Sequence, residues 1–326
     1  DQLEEYVRQS ADNELPRPTG DGIGKIEHNS NLAHFYAHFV RHTIDTSLEG
    51  MTIVYDGANG AASSVGPEIL AGLGAKVINI NVNPDGLNIN HHCGSTHIEG
   101  LQVAVQQHNA DLGIANDGDA DRCLLVDEKG QVLDGDQIML LCALKLKEEG
   151  KLKEDTVVGT VMSNIGFHKA AKELGMKTFA TAVGDRYVLE YMREHNLSVG
   201  GEQSGHVIFL DHNTTGDGML TAVQVAALMK EKNKPLSELA GIMTKYPQVL
   251  INVRVATKTG WEDNDLIKAA IVTAEGELGV EGRVLVRASG TEPLIRVMAE
   301  GPNQEELQAL CQEIADIIGR EQGVAD

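Results

Sequence analysis

The chain has 326 residues, 48 acidic against 27 basic, for a formal net charge of −21, with 42% hydrophobic and 23% charged residues. This is a globular composition with room for two or three domains, and the charge argues against nonspecific binding to nucleic acid or an anionic membrane. No apolar run approaches the roughly 20 residues that span a bilayer and no signal peptide is visible; Cys93, Cys123, Cys142 and Cys311 are scattered, with no C-x-x-C pair, and read as free thiols in a reducing cytoplasm.

Residues 1–30 begin as an acidic helix-like stretch, DQLEEYVRQ, and continue as a turn-rich connector, ELPRPTGDGIG. GDGIGK lacks the spacing of a phosphate-binding P-loop, since Lys25 is followed by Ile26, and reads as a turn. In LAHFYAHFVRHTI, His34, His38 and His42 share one helical face. No carboxylate or cysteine stands near them in sequence to complete a zinc site, so the face is expected to touch polar neighbours. The chain begins at Asp1, inside the helical stretch, and reads as part of something longer.

From about residue 50 the pattern is β–α–β. MTIVYD reads as a strand, GANG as a turn, AASSVGPEILAGLG as a helix with a C-terminal glycine, and KVININ as the next strand. THIEGLQVAVQQHN is a helix leading into the strand DLGIA; CLLVD is another strand, and GDQIMLLCALKLKEEG a helix. TVVGTV, NIGFHKAAKELG, KTFATAVG and DRYVLEYMREHN repeat the theme, followed by LSVGGEQSGHVIFLDH and the long helix GDGMLTAVQVAALMKEKN. From about residue 248 the order changes to strand, helix, two strands joined by a turn, and a closing helix, an α+β layer of about 75 residues. The expected segments are 1–40, 41–145, 146–248 and 249–326.

Between DLGIA and CLLVD lies NDGDADR. Asp117, Asp119 and Asp121 alternate with the small residues Gly118 and Ala120, and Arg122 follows. Uncompensated, three such carboxylates repel one another and favour protonation; a hard divalent cation relieves this with oxygen ligands. A solvated acidic turn and a metal loop both fit the spacing. An EF-hand does not: Glu128 occupies its twelfth position, but the sixth is Arg122 instead of glycine, and CLLVD reads as a strand. The loop stands at the C-terminal end of a strand, where open α/β sheets place ligands.

Two further constellations follow. In VGGEQSGHVIF, Gly200, Gly201 and Gly205 flank Glu202, Ser204 and His206, which suits a polyol-recognising loop better than a structural turn. The G-x-S-x-G elbow that would make Ser204 a nucleophile is not there. In VRASGTEPLIR, Arg287, Ser289 and Thr291, with the amides around Gly290, fit either an anion cradle or an ordinary capped hairpin. TAVGDRYV adds Arg186 beside Gly184 and Asp185.

A metal loop, a hydroxyl-reading loop and a phosphate cradle in successive domains suit a phosphorylated sugar in a cleft. In their order, DGDADR, GEQSGH and RASGTEP resemble the α-D-phosphohexomutase superfamily, and within it the bacterial phosphoglucosamine mutases, over at least three quarters of the chain. The resemblance implies successive mixed α/β domains followed by a small α+β C-terminal domain. It implies Mg²⁺ on Asp117, Asp119 and Asp121, with Arg122 in support. Gly184, Asp185, Arg186, Glu202, Ser204 and His206 would meet the sugar, and Arg287, Ser289, Gly290 and Thr291 its non-reacting phosphate. It further implies interconversion of glucosamine 6-phosphate and glucosamine 1-phosphate through a phosphoserine enzyme and a bisphosphate intermediate. The product would feed UDP-N-acetylglucosamine and cell-wall synthesis. A hexose bisphosphate would serve as activator, and a homodimer is left open. The family's Ser-His-Asn-Pro phosphoserine loop is not found here, so the chain is expected to hold the last three domains and to be inactive alone. A phosphomannomutase or phosphoglucomutase, a phosphatase using Asp117 as an aspartyl-phosphate, and a sugar-phosphate-binding protein are the competing readings.

Overall fold

A computed structural model describes residues 2–11, 15, 17–27, 29, 31–290 and 292–323. It divides into two compact units, Asp1–Tyr36 and Ala37–Asp326. The first carries helix α1 (Gln2–Ala11), none of whose residues is buried, and a 3₁₀ turn at Gly20–Gly22; helix α2 (Asn31–Arg41) begins in it and continues into the second. Of the expected histidine face, His38 and His42 stack at 3.8 Å between ring centroids, and His42 Nδ1 lies 2.7 Å from the His38 carbonyl oxygen. No helix among the described residues is long and apolar enough to cross a membrane.

The second unit is built on three sheets. In chain order the first third holds β1 (Thr52–Asp56), α3 (Val65–Gly72), β2 (Lys76–Ile80), α4 (Glu99–His108), β3 (Leu112–Asn116), β4 (Cys123–Asp127) and β5 (Val132–Leu133). The strands order as β2-β1-β3-β4-β5, with β1, β2 and β3 parallel and β4 and β5 antiparallel. Next come α5 (Gly135–Glu148), β6 (Thr156–Thr160), α6 (Ile165–Glu173), β7 (Lys177–Thr181), α7 (Asp185–Glu194), β8 (Val199–Gly201), β9 (Val207–Phe209), α8 (Gly218–Lys232) and the short α9 (Leu236–Leu239). Their sheet, β7-β6-β8-β9, repeats the first: three parallel strands and an antiparallel fourth. The last part contains β10 (Gln248–Arg254), α10 (Asp265–Leu278), β11 (Arg283–Ala288), β12 (Leu294–Glu300) and α11 (Gln304–Gln322), with the antiparallel order β10-β12-β11 and a core including Ile267, Ile295, Val297, Leu307, Cys311 and Ile318. The predicted α/β repeat and closing α+β layer are therefore observed. The two-residue β5 and the single-turn α9 are too short to leave a period in the sequence.

Helices α5 and α8 exchange sides. The sequence groups α5 with the first sheet, but α5 packs on β6 and β8 of the second, while α8 packs on β3 and β4 of the first; the two helices also pack on each other. Both are therefore buried nearly all round, Ile138–Ala143 in one and Met219–Ala226 in the other being interrupted only by the half-buried Gln224. Each starts on the loop of the opposite sheet. Gly135 N–H donates to the Gln203 carbonyl and Gly218 N–H to the Ala120 carbonyl, both at 2.9 Å. Contact is so close that a Cβ at Gly135 would lie 2.0 Å from the Glu202 carbonyl oxygen, and one at Gly218 would lie 2.2 Å from that of Arg122.

Where the third sheet joins the second, Glu300 is fully buried. It accepts from Arg283 Nε at 2.6 Å, Ile165 N at 2.9 Å, Gln248 Nε2 at 3.1 Å and Asn164 Nδ2 at 3.2 Å. Nearby Asp136, also fully buried, accepts from Asn164 N at 2.7 Å, while its Oδ1 has no hydrogen-bond partner. Burial first, then the charges of Asp134 and Glu300, push its carboxyl up from 3.8 to about 7. The fold thus holds a proton that the unfolded chain releases, and Asp136 makes stability fall as pH rises between these values. The unfolding free energy of Asp136→Asn relative to the parent, from urea titrations, is expected to increase from about pH 4 to about pH 7, then level off, the gain reaching on the order of a few kcal/mol. A pH-independent difference would show that no proton is held.

Candidate functional site

The β3–β4 loop begins at Asn116 and ends at Cys123, which pair across the strands. Asp117, Asp119 and Asp121 converge in it, each offering a carboxylate oxygen within 4.8 Å of the others. Ala120 takes φ 63°, a left-handed conformation that tightens the turn. Gly118 is pinned by its carbonyl accepting from Ala61 N at 2.8 Å, and a Cβ on it would meet Asn90 and Ile89 at 2.7 Å. The GANG turn therefore supports the loop: Gly60 approaches Gly118 so closely that a Cβ would lie 2.3 Å from the Gly118 carbonyl oxygen.

Burial grades across the three aspartates. Asp117 is buried, Asp121 half-buried and Asp119 exposed. Asp117 Oδ1 accepts from Arg122 N at 3.2 Å, and Arg122 Nε lies 3.7 Å from Asp117 and 3.9 Å from Asp121. Burial, then the charge of Asp121, raises the Asp117 carboxyl to about 6; Asp119 adds to the rise, and the Arg122 amide and guanidinium oppose it. One guanidinium does not compensate the cluster, and Asp121 Oδ1 is buried without a hydrogen-bond partner. Converging hard oxygen donors, one of them orphaned, fit a divalent cation.

The β8–β9 turn brings the second constellation against this loop. Arg122 and His206 form an isolated antiparallel bridge, and Cys123 N donates to the Gly205 carbonyl at 3.0 Å. Gly205, at φ 98°, would place a Cβ 2.4 Å from the Cys123 carbonyl oxygen. His206 is 2% exposed, its Nε2 3.5 Å from Asp121 and 3.8 Å from Asp185; neither ring nitrogen has a hydrogen-bond partner. Gly216 lies flat against its ring, with room for no Cβ. Glu202 Oε1 accepts from Gly184 N at 3.0 Å, tying the turn to the start of α7, and Ser204 is exposed. Arg186 forms a 2.8 Å pair with Glu190 one turn along. The predicted loop residues of the two α/β sheets, Asp121, Asp185, Glu202 and His206, are thus one cluster.

The third constellation lies at the β11–β12 turn. Arg287 faces Arg296 across the strands, and burial, followed by the Arg296 charge, lowers its pKa. Ser289 is buried, its Oγ accepting from Glu292 N at 3.3 Å and from Arg296 Nη2 at 3.5 Å. Lys258 Nζ donates to the Ser289 and Gly290 carbonyls at 2.8 and 3.2 Å. Thr291 lies outside the described residues. Arg296 Nη2 also pairs with Glu292 at 3.2 Å; two juxtaposed guanidiniums against that one carboxylate favour an anion over a plain hairpin. Sequence reasoning did not single out Arg296 or Lys258. Arg296 stands inside the quoted motif, whereas Lys258, in a polar turn 31 residues before Ser289, gave no signal. A separate cavity of about 440 Å³, lined by Cys142, Lys145, Phe209, Gln224 and Leu228 among others, includes none of the three aspartates.

Comparison with known proteins gives a consistent picture. Residues 33–130 match the family model for phosphoglucomutase/phosphomannomutase alpha/beta/alpha domain II, residues 134–246 that for alpha/beta/alpha domain III, and residues 250–317 that for the C-terminal domain. The chain is 52% identical to phosphoglucosamine mutase of Geobacillus kaustophilus over 321 residues, 98% of this chain and 72% of that protein. It is 53% identical to that of Symbiobacterium thermophilum over 323 residues (98% and 71%), and 48% identical to that of Bacillus subtilis over 320 residues (98% and 71%). Among solved structures it resembles a phosphoglucomutase/phosphomannomutase family protein of Burkholderia thailandensis, with TM-score 0.78 and 21% identity over 98% of this chain and 70% of that one. An Aspergillus fumigatus N-acetylphosphoglucosamine mutase in complex with GlcNAc-6P and magnesium gives TM-score 0.71 and 22% identity (90% and 67%). A variant of that enzyme with glucose 1,6-bisphosphate gives TM-score 0.69 and 23% identity (90% and 65%).

Replacing Asp119 removes a candidate ligand and also a charge that raises Asp117. Asp119→Asn is expected to weaken Mn²⁺ binding at least about tenfold by calorimetry, while the metal-free melting temperature stays level or rises. A fall in metal-free stability with unchanged affinity would make Asp119 structural.

Proposed function

The chain belongs to the phosphoglucomutase/phosphomannomutase family, and from that membership we propose that it supplies the metal and sugar-phosphate sites for interconverting glucosamine 6-phosphate and glucosamine 1-phosphate, and does not turn over alone. Identity of about 50% to phosphoglucosamine mutases over nearly the whole chain supports the amino sugar over glucose or mannose. The observation that carries the reading is the joining of two sheet-end loops, with Asp121 and His206 3.5 Å apart, so that a cation site and a hydroxyl-reading turn share one wall.

Asp117, Asp119 and Asp121 would hold Mg²⁺, which when bound would offset charge on the transferring phosphoryl group. Arg122, between Asp117 and Asp121, limits repulsion inside the loop and supplies a further positive charge. Glu202 and Ser204 accept and donate to sugar hydroxyls, with Glu202 held in aim by the Gly184 amide. Gly184 and Asp185 shape the neighbouring wall, and Arg186 adds a cation on the first turn of α7. His206, packed on Gly216, fixes the edge of the wall toward Asp121 and Asp185. Arg287, Ser289, Gly290 and Thr291 grip the phosphate that does not react, and Arg296 and Lys258 brace that grip. A hexose bisphosphate, one sugar carrying both the 1-phosphate and the 6-phosphate, would occupy the same groups. No described residue is assigned the phosphoryl-donating role. The segment limits 41–145, 146–248 and 249–326 are proposed as the units carrying the three loops.

Binding separates these roles. With Mg²⁺ present, glucosamine 6-phosphate is expected to bind more tightly than glucose 6-phosphate or mannose 6-phosphate. Arg287→Ala is expected to weaken sugar phosphate binding by on the order of tenfold or more while leaving Mn²⁺ affinity unchanged. Equal affinity for all three sugars would remove the amino-sugar assignment, and an unaffected Arg287→Ala would remove the cradle.

A further inference from the structure

The aspartate loop is closed by a residue that is neither a ligand nor a substrate contact. Asn116, the last residue of β3, is fully buried. Its Nδ2 donates to the Arg122 carbonyl at 2.7 Å, spanning the loop from entry to exit, and its Oδ1 accepts from the Tyr55 hydroxyl at 3.0 Å. The amide orientation follows from these partners: reversed, Oδ1 would face a carbonyl that can only accept. Tyr55 is also fully buried, and its hydroxyl has the Ala62 carbonyl, at 3.3 Å, as an alternative acceptor.

Two glycines make room for this pair. A Cβ at Gly66 of α3 would lie 2.4 Å from the Tyr55 ring, and one at Gly218 of α8 would lie 2.2 Å from both Asn116 Nδ2 and the Arg122 carbonyl oxygen. Helices from both sides therefore hold the pair where it is. Without the Asn116 bond, the Arg122 carbonyl would lose the side chain that ties the loop exit to β3, and Arg122 carries the guanidinium beside Asp117 and Asp121.

We propose that Asn116, oriented by Tyr55, is a positioning residue for the cation site: it fixes the span of the loop so that the three carboxylates converge. The proposal rests on the reading of Asp117, Asp119 and Asp121 as ligands of a divalent cation. A group that orients ligands without touching the ion contributes roughly 10–100-fold in metal affinity.

The test is Mn²⁺ binding to the full chain, followed by the electron paramagnetic resonance signal of the free ion, alongside the metal-free melting temperature. Asn116→Ala is expected to weaken binding by about 10–100-fold. Tyr55→Phe removes one hydroxyl and keeps the ring that fills the space against Gly66; it is expected to weaken binding by a smaller factor with little change in melting temperature. If Asn116→Ala does not fold, Tyr55→Phe decides the matter. Wild-type affinity in the folded variants, with or without a lower melting temperature, would make the pair purely structural and overturn the proposal. If the unsubstituted chain binds Mn²⁺ no more tightly than a chain with Asp117, Asp119 and Asp121 all replaced by asparagine, the cation reading itself fails and takes the proposal with it.

Discussion

The reciprocal crossing of α5 and α8 is the constraint on which the site depends. Each helix follows one sheet, starts on the loop of the other, and packs along that other sheet. Neither sheet can then shift without dragging the loop of its neighbour. Glycine at positions 135 and 218 is required, since a Cβ would overlap a carbonyl oxygen at 2.0 or 2.2 Å, and such overpacking in an interior costs about 1–3 kcal/mol or more. The aspartate loop and the GEQSGH turn are therefore registered by backbone contact, which leaves their side chains for ligands.

This rigidity bears on the electrostatics. Three carboxylates within 4.8 Å, in a chain of net charge −21, would spread apart if the loop were free. They are held by backbone: the Ala61 amide on the Gly118 carbonyl, the Arg122 amide on Asp117, the left-handed Ala120 and the Asn116 bond across the loop. Burial first, and then the neighbouring charges, keep the Asp117 carboxyl raised. A site that holds repelling ligands together before its ion arrives loses little reorganisation energy on binding.

How much was legible in the sequence follows from what leaves a local mark. The strands and helices of both α/β repeats carried period and turn signals, and the three loops carried dense polar motifs between them. The sheet on which α5 packs did not, because a helix buried nearly all round has no polar stripe to say which neighbour it faces. His206 was read with the sugar loop; its near-total burial against Gly216 and its approach to Asp121 follow from the pairing of two hairpins, a contact some 80 residues apart that no local pattern encodes. Asn116 was quoted as the first letter of NDGDADR, yet nothing in the string distinguishes a buried amide spanning a loop from a solvated one. The partners that define it, Tyr55 and Gly218, lie 61 residues before it and 102 after it.

The third sheet carries the same logic to the β11–β12 hairpin. That hairpin is held at its base and bears the third constellation toward its turn. Arg283 and Glu300 pair at the base and lock to the start of α6, while Arg287, Ser289 and Arg296 lie toward the turn. The six residues from Arg283 to Ala288 span roughly 16 Å at strand rise, so a small rotation at the base becomes a larger displacement at the turn. At that base a fully buried carboxylate meets a partly exposed guanidinium, and burial raises the Glu300 pKa despite Arg283. A buried ion pair is a weak source of net stability but an exacting source of geometry, because any other placement leaves a charge without partners. The four donors converging on Glu300 therefore fix the angle of the hairpin, and with it the placement of Arg287, Ser289 and Arg296 near its turn.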